Sequence, residues 1–210
     1  MSRNILLYLL FSLFGFFLGS IMFSLILPRH FKGVDVRQLS DDGNPGTANA
    51  VKYGGVAIGM LCLAGDLLKA ALPVYLARRF CGTQHLLFAL VMASPVLGHA
   101  FSPFLGGKGG KAIAPAFGAL VALLPEDHSF AVLAASFVFF SLVVVIVPNR
   151  LKAIAAFLVL LLYSLLLNPN QAPALGGIVL SAIVIAKHWR PLPSEEASVS
   201  LFGRRKRAQP

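Results

Sequence analysis

The sequence predicts an all-α integral membrane protein of about seven transmembrane helices, with its N-terminus outside the cell and its C-terminus in the cytoplasm. Three observations predict this fold class: an apolar composition, seven apolar stretches, and basic residues that concentrate on one side of the predicted bundle. Of the 210 residues, 57% are hydrophobic and 12% are charged. A soluble domain carries about twice that charged fraction.

The apolar stretches lie at about 5–27, 54–77, 84–101, 112–124, 129–147, 151–167 and 172–187. The first and the fifth are uncharged and long enough for the roughly 20 helical residues that cross a bilayer. The fourth, sixth and last are short, so five spans with re-entrant pieces are an alternative to seven. The domain prediction is a membrane domain at 1–190 followed by a basic cytoplasmic tail at 191–210.

The basic residues give the orientation. Seven spans place most of the 18 Lys and Arg residues on one side, with Arg3, Arg78 and Arg79 opposite and Lys69 inside a span. The positive-inside rule makes the basic side cytoplasmic. The net charge of +10 is therefore explained by orientation and by contact with anionic lipid, and we expect no nucleic-acid partner.

A glycine-dense loop with two lysines, residues 98–111, is the strongest functional feature. Glycines let successive backbone N–H groups converge, and Lys108 and Lys111 add positive charge, so the loop predicts a phosphate site. A nucleotide P-loop is excluded because Ala112 follows Lys111 where a hydroxyl residue is required. His99, near the predicted membrane surface, is either a structural residue or part of the site.

Two further cytoplasmic segments carry polar residues. In residues 41–52, turn-forming residues precede a helix that Thr47 or Asn49 could cap, and a helix N-terminus binds anions. The alternative is an ordinary turn and cap. In residues 187–190, His188 lies among Lys, Trp and Arg residues that are common interfacial anchors. Asp66 and Lys69, three residues apart within a span, predict a structural ion pair beneath the site. Cys62 and Cys81 have no metal-ligand spacing.

Together these motifs resemble the bacterial acyl-phosphate:glycerol-3-phosphate acyltransferase family. The family's first-helix Gly-Ser-Ile corresponds to Gly19-Ser20-Ile21, and its Ser-Gly-Asn-x-Gly-Ala-Thr-Asn-x-x-Arg loop to residues 42–52. Its Asp-x-x-Lys resembles Asp66 and Lys69. Its Gly-His-x-Phe-x-x-Phe, with Lys-Gly-Gly-Lys following, matches residues 98–111 without a gap, and its His-x-x-Asn begins at His188.

The resemblance implies a membrane enzyme that transfers a fatty acyl group from acyl phosphate to the 1-hydroxyl of glycerol 3-phosphate, giving lysophosphatidate and phosphate. It implies no cofactor and no metal. The expected partners are the two substrates, membrane lipids and the soluble enzyme that produces acyl phosphate. The expected location is the bacterial inner membrane, with the site facing the cytoplasm.

The resemblance also implies the site residues. The expected catalytic residues are Asp42, Lys108, Lys111 and His188. The expected substrate-binding residues are Ser20, Gly43, Asn44, Gly46, Thr47, Asn49, Lys52, His99, Ser102, Gly109 and Gly110.

The chain departs from the family pattern at several of these positions. Asp42 replaces a serine, Thr47-Ala48 inverts the family order, Lys52 replaces an arginine and Pro191 replaces the asparagine of the last motif. Lysine cannot grip phosphate with a planar fork, and a carboxylate at Asp42 repels phosphate unless a lysine neutralises it. Two alternatives therefore remain: an acyl-phosphate-dependent enzyme with another hydroxylated acceptor, and a catalytically silent phospholipid-binding protein.

Overall fold

A computed structural model describes residues 3–190 and 196–202, and within them the chain forms ten α-helices and one two-stranded sheet. Pro191, like the basic run at 204–207, lies outside the described residues. The elements are α1 (Arg3–Gly19), α2 (Phe23–Lys32), α3 (Val36–Leu39), α4 (Thr47–Gly54), α5 (Val56–Cys81), α6 (Leu87–Ala100), α7 (Ile113–Val121), α8 (Ser129–Leu142), β1 (Val144–Val147), α9 (Asn149–Leu166), α10 (Gln171–His188) and β2 (Ser198–Leu201).

The predicted class, a helical integral membrane protein, is confirmed. Within the described residues five segments are long and apolar enough to cross a membrane: Asn4–Lys32, Val56–Cys81, Leu87–Leu105, Asn149–Leu166 and Gln171–His188. The fourth predicted stretch forms only α7, whose nine residues extend about 14 Å at 1.5 Å per residue. The fifth forms α8, whose 14 residues extend about 21 Å, before the chain turns into β1.

The first apolar stretch, predicted as one helix, is broken at residues 20–22 between α1 and α2. A break inside a membrane frees backbone carbonyls that must find other donors. The Ser102 hydroxyl donates to the Ser20 carbonyl over 2.8 Å, and Lys69 Nζ donates to the Ile21 carbonyl. Side chains from the second and third spans therefore stabilise the break.

Helix α6 lies at the centre of the bundle, where it packs against α1, α5, α7 and α10. Helix α6 approaches α1 closely because each helix has a glycine where it meets the backbone of the other. A side chain at Gly98 of α6 would overlap the Phe16 carbonyl, and a side chain at Gly19 of α1 would overlap the backbone of Pro95. The buried core around α6 includes Phe88, Met92, Phe157 and Leu160. This arrangement buries His99, in the last turn of α6, inside the bundle.

The two-stranded sheet was not predicted. Strand β1 pairs antiparallel with β2, Val144 opposite Leu201 and Val147 opposite Ser198. The backbone N–H of Phe202 extends the pairing by donating to the Val143 carbonyl over 2.8 Å. Part of the predicted tail is therefore joined to the segment that leads into α9.

Candidate active site

One cavity of about 770 Å³ gathers most of the predicted site residues. It is bordered by the loop before α4, by α5, by the last turn of α6, by the start of α7 and by the ends of α9 and α10 that lie next to each other. Nine predicted site residues line it: Asp42, Asn44, Gly46, Thr47, Asn49, Lys52, His99, Lys111 and His188. The cavity has a polar end and an apolar end.

Three helix N-termini border the polar end. Residues 46–49 begin α4, residues 112–114 begin α7 and residues 148–150 begin α9, and all three groups line the cavity. The first turn of a helix has backbone N–H groups without helical partners and carries a partial positive charge. Convergence of three such turns, with the cations Lys52, Lys111 and Arg150 nearby, makes this end suited to bind phosphate.

The loop before α4 is held in place by the carboxylate of Asp42. Its Oδ2 accepts a 2.7 Å hydrogen bond from Lys111 Nζ. Its Oδ1 accepts from Asn49 Nδ2 over 3.0 Å and from the Asn44 backbone N–H over 3.2 Å. Asn49 Nδ2 also donates to the Asn44 carbonyl over 2.8 Å. Both carboxylate oxygens therefore accept hydrogen bonds from the protein.

The same contacts set the protonation of Asp42. Partial burial alone would raise its pKa, but the hydrogen bonds from Lys111 and Asn49 and the charge of Lys111 outweigh burial and hold the pKa below its usual value. Asp42 is therefore ionised at neutral pH, and Lys111 supplies the neutralising charge that the carboxylate requires beside a phosphate site.

A buried network lies beneath the cavity. Lys69 Nζ is 2.8 Å from Asp66 Oδ1 and 2.9 Å from His99 Nδ1, and the Ser24 hydroxyl donates to Asp66 Oδ2 over 2.7 Å. The predicted pairing of Asp66 with Lys69 is thus present, with both side chains 1% exposed. Asp66 and His99 also line the cavity, so the network forms part of its floor.

His188 ends α10 at the opposite wall. Its Nδ1 lies 2.8 Å from the Val184 carbonyl, and its side chain is buried. Arg150, at the start of α9, lies beside it: Arg150 Nη1 is 3.4 Å from the His188 carbonyl and 3.5 Å from the Trp189 carbonyl. These contacts join the start of α9 to the end of α10 at the rim of the cavity.

Six predicted site residues do not line the cavity: Ser20, Gly43, Ser102, Lys108, Gly109 and Gly110. The Ser102 hydroxyl donates a hydrogen bond to the Ser20 backbone carbonyl at the break between α1 and α2. Lys108 is exposed. The structure thus places these six residues outside the lining of the cavity, in the segments that surround it.

The two glycines before Lys111 serve close packing. A side chain at Gly109 would overlap the backbone of His99 and Ala100, and one at Gly110 would overlap the His99 ring. The Gly110 N–H donates to the His99 carbonyl over 3.0 Å. The glycines let the loop lie against the end of α6, and this contact places Lys111 beside the cavity.

The apolar end lies between α5, α7 and α8. Leu63, Leu67, Ile113, Phe117 and Phe130 line it, and the rings of Phe117 and Phe130 meet edge to face with centroids 5.9 Å apart. One cavity therefore offers an anion site at one end and a hydrocarbon site at the other.

Asn149 and Arg150 were not predicted to be site residues. The sequence indicates only a cytoplasmic charge at Arg150, because the residues before it belong to an apolar stretch that resembles a span. A proline followed by Asn and Arg at the start of an apolar run is a helix-start signal, and it could have indicated a third helix N-terminus at the site.

The fold and the cavity together define an integral membrane protein with a site for an amphiphilic anion. A sequence profile of the family described as glycerol-3-phosphate acyltransferase matches residues 9–193. The chain belongs to this family, as its motifs predicted.

Individual relatives agree with this assignment. A glycerol-3-phosphate acyltransferase of Shewanella baltica OS155 is 33% identical over 207 residues, which cover 95% of this chain and 97% of the relative. One of Thermotoga petrophila is 41% identical over 114 residues, and the match spans 57% of that relative's length. Crystal structures of PlsY (YgiH), an integral membrane glycerol 3-phosphate acyltransferase, superpose with a TM-score of 0.72 at 28% identity. One structure is the lysophosphatidic acid form, and the match covers 86% of this chain and 87% of that chain. The other is the glycerol 3-phosphate form, and the match covers 87% of this chain and 88% of that chain.

Proposed function

We propose that this protein transfers a fatty acyl group from acyl phosphate to the 1-hydroxyl of glycerol 3-phosphate, releasing lysophosphatidate and inorganic phosphate for phospholipid synthesis. The observation that carries the proposal is the single cavity that joins three helix N-termini to an apolar end. Acyl phosphate has the same two parts, a phosphate and a hydrocarbon chain. The glycerol 3-phosphate form of the PlsY structure supports the choice of acceptor.

Different parts of the cavity bind different parts of the two substrates. The first turns of α4, α7 and α9, with Lys52 and Arg150, hold the phosphate groups of the two substrates. The apolar end holds the acyl chain. The acceptor oxygen bonds to the carbonyl carbon while the bond from that carbon to the phosphate oxygen breaks. Because acyl phosphate is already activated, alignment of the two substrates supplies much of the acceleration.

His188 takes the proton of the acceptor hydroxyl. The Val184 carbonyl can only accept, so His188 Nδ1 donates to it, and the neutral ring then has an unprotonated Nε2. That nitrogen is a base on the wall of the cavity. Asp42 is a poor candidate for this role because Lys111, Asn49 and Asn44 occupy its oxygens. This engagement disfavours the alternative in which Asp42 handles a neutral acceptor.

The proposal includes an inner-membrane location with the cavity facing the cytoplasm and the N-terminus outside. The cavity rim carries Lys52, Lys111 and Arg150, which the positive-inside rule assigns to the cytoplasm. Helices α7 and α8 follow each other as a short hairpin, so counting them as two crossings or as a re-entrant pair leaves the termini on the same sides. A soluble enzyme that makes acyl phosphate can then deliver it on the cytoplasmic face.

One assay tests the reaction. Purified protein in lipid vesicles receives acyl phosphate with glycerol 3-phosphate, with glycerol, or with no acceptor, and lysophosphatidate and phosphate are measured. We expect equal amounts of both products only with glycerol 3-phosphate, and their loss in His188→Leu. Equal rates with glycerol would overturn the proposed acceptor, and no phosphate release would overturn the activity. His30→Leu, which changes a histidine near the end of α2 outside the cavity lining, is the control.

Labelling tests the orientation. In a variant whose two native cysteines are replaced by serine, Lys108→Cys lies in the loop that places Lys111, and Gln84→Cys lies in the connection between α5 and α6. An impermeant thiol reagent added to intact cells should label only Gln84→Cys. Labelling of Lys108→Cys from outside would contradict the orientation.

A further inference from the structure

Lys187, in the last turn of α10, directs its ammonium group toward the protein. A lysine at the end of a membrane helix commonly extends toward water or lipid headgroups. Lys187 Nζ instead donates to two backbone carbonyls, that of Ala100 over 2.9 Å and, in a longer contact, that of Gly109 over 3.4 Å. It also lies 5.1 Å from the centroid of the Phe101 ring, which is a cation–π contact. These contacts are not those of an interfacial anchor.

The two carbonyls belong to the glycine-dense segment 98–111. Ala100 is the last residue of α6, and carbonyls in the last turn of a helix have no helical partner. Gly109 lies in the loop that follows α6, two residues before Lys111. A lysine ammonium group satisfies carbonyls at a helix end well, and here it also reaches the loop. Lys187 therefore joins α10, the end of α6 and the loop.

The peptide group between Gly109 and Gly110 is held at both of its edges. Its carbonyl faces Lys187, and its N–H donates to the His99 carbonyl over 3.0 Å. A peptide group is planar, so a contact at each edge fixes the orientation of the whole group. Lys111 follows directly. The direction in which the Lys111 side chain leaves the loop is therefore set by a peptide that Lys187 holds.

We propose that Lys187 is a positioning residue for the phosphate site, which holds the Gly109–Gly110 peptide and thereby places Lys111 beside Asp42. Lys187 does not line the cavity, so it acts through Lys111. The inference rests on the proposed function for its effect on kinetics. The contact between Lys187 and the loop is independent of the substrate.

A double-mutant cycle tests the action through Lys111. We expect Lys187→Met to raise KM for glycerol 3-phosphate about tenfold, the cost of roughly one weakened hydrogen bond. Turnover should change less than about threefold, because His188 keeps its contact with the Val184 carbonyl. In the Lys111→Met background, Lys187→Met should raise KM less than about twofold, since the side chain that it positions is absent. An equal effect in both backgrounds would overturn the proposal.

Two further variants separate position from net charge. Arg190→Met is the matched control, because it removes a positive charge at the same end of α10 from an exposed side chain outside the cavity lining. We expect it to change KM less than about twofold. Lys187→Arg keeps the charge and the N–H donors and should return KM to within about threefold of wild type. If Arg190→Met raises KM as much as Lys187→Met, the effect comes from net charge and the proposal is wrong.

Hydrogen exchange tests the contact without any activity. Exchange over residues 105–112, measured by mass spectrometry, reports how firmly the loop is held. We expect the Gly110 amide, which bonds to the His99 carbonyl, to exchange at least about tenfold faster in Lys187→Met than in wild type. Exchange should be unchanged in Arg190→Met. Unchanged exchange in folded Lys187→Met would overturn the proposal.

Two results have defined readings. If Lys187→Met does not fold, Lys187→Gln, which removes the charge and keeps an amide, replaces it in both experiments with the same expected directions. If the loop exchanges faster as expected but wild-type protein transfers no acyl group to glycerol 3-phosphate, the proposed function fails while the positioning of the loop by Lys187 stands.

Discussion

Lys111 Nζ donates a 2.7 Å hydrogen bond to Asp42 Oδ2, and this ion pair joins two loops 69 residues apart in the chain. One loop leads into α4 and the other into α7. The pair therefore holds two of the three helix N-termini of the polar end beside each other. It also neutralises a carboxylate that would otherwise face the phosphate groups of the proposed substrates.

Removal of Lys111 should damage the acceptor site more than removal of Lys108. Lys111→Met leaves the Asp42 carboxylate without its cation, so we expect kcat/KM for glycerol 3-phosphate to fall about a hundredfold. Lys108 is exposed and off the cavity, where a charge is screened by salt, so we expect Lys108→Met to cost no more than about threefold. Initial rates at varied glycerol 3-phosphate concentration measure both. Lys32→Met, at the end of α2, controls for lost positive charge, and a larger loss in Lys108→Met than in Lys111→Met would mean that the phosphate site lies outside this cavity.

Asp42→Ser tests whether the carboxylate helps or hinders the acceptor. The change removes a negative charge and frees Lys111 to face the phosphate, so KM for glycerol 3-phosphate should stay the same or decrease. It also loses hydrogen bonds from Asn49 and Asn44, and we expect the free energy of unfolding to fall by about 1 kcal/mol. Rates and thermal unfolding of the same preparation measure both effects. A collapse of turnover in folded Asp42→Ser would show that the reaction requires the carboxylate.

The ion pair also predicts how stability depends on pH. Because the pKa of Asp42 is lower in the folded state than in the unfolded chain, the pair stabilises the fold above the unfolded pKa, about 4. The stabilisation is lost as pH falls through the folded value. We expect wild type to exceed Asp42→Asn in unfolding temperature above about pH 5, by a margin reflecting about 1 kcal/mol. The margin should decrease as pH falls below about 4, and a margin that grows on acidification would contradict the assignment.

Much of this architecture was predictable from local sequence. Apolar stretches revealed the spans, and the Asp66–Lys69 spacing revealed the ion pair. The break between α1 and α2 was not predictable, because residues 5–27 are uniformly uncharged. The partners that stabilise it, Lys69 and Ser102, are 48 and 82 residues from the carbonyls they satisfy. No local pattern carries such information.

The sheet was missed for a related reason. Residues 143–147 are five consecutive β-branched residues, and a short apolar run fits the end of a buried helix or a strand equally well. The partner that decides between these structures, β2, follows more than 50 residues later in a segment predicted to be a tail. Arg150 was overlooked as a site residue because its role depends on the same turn from β1 into α9.

Pairing of strand β2 with β1 should lower KM for glycerol 3-phosphate. Strand β1 ends at Val147, directly before the rim residues Pro148, Asn149 and Arg150, so its pairing with β2 limits the motion of the third helix N-terminus. Ser200 lies opposite Val145 in the register, and a proline there has no N–H for the ladder and disfavours strand pairing. We expect Ser200→Pro to raise KM for glycerol 3-phosphate about three- to tenfold, the cost of roughly one weakened phosphate contact. KM for acyl phosphate should change less because its chain binds at the apolar end.

Ala197→Pro, just before the strand, is the matched control. An unchanged KM in Ser200→Pro, with loss of pairing verified by faster amide hydrogen exchange in β1, would show that β2 does not position the rim.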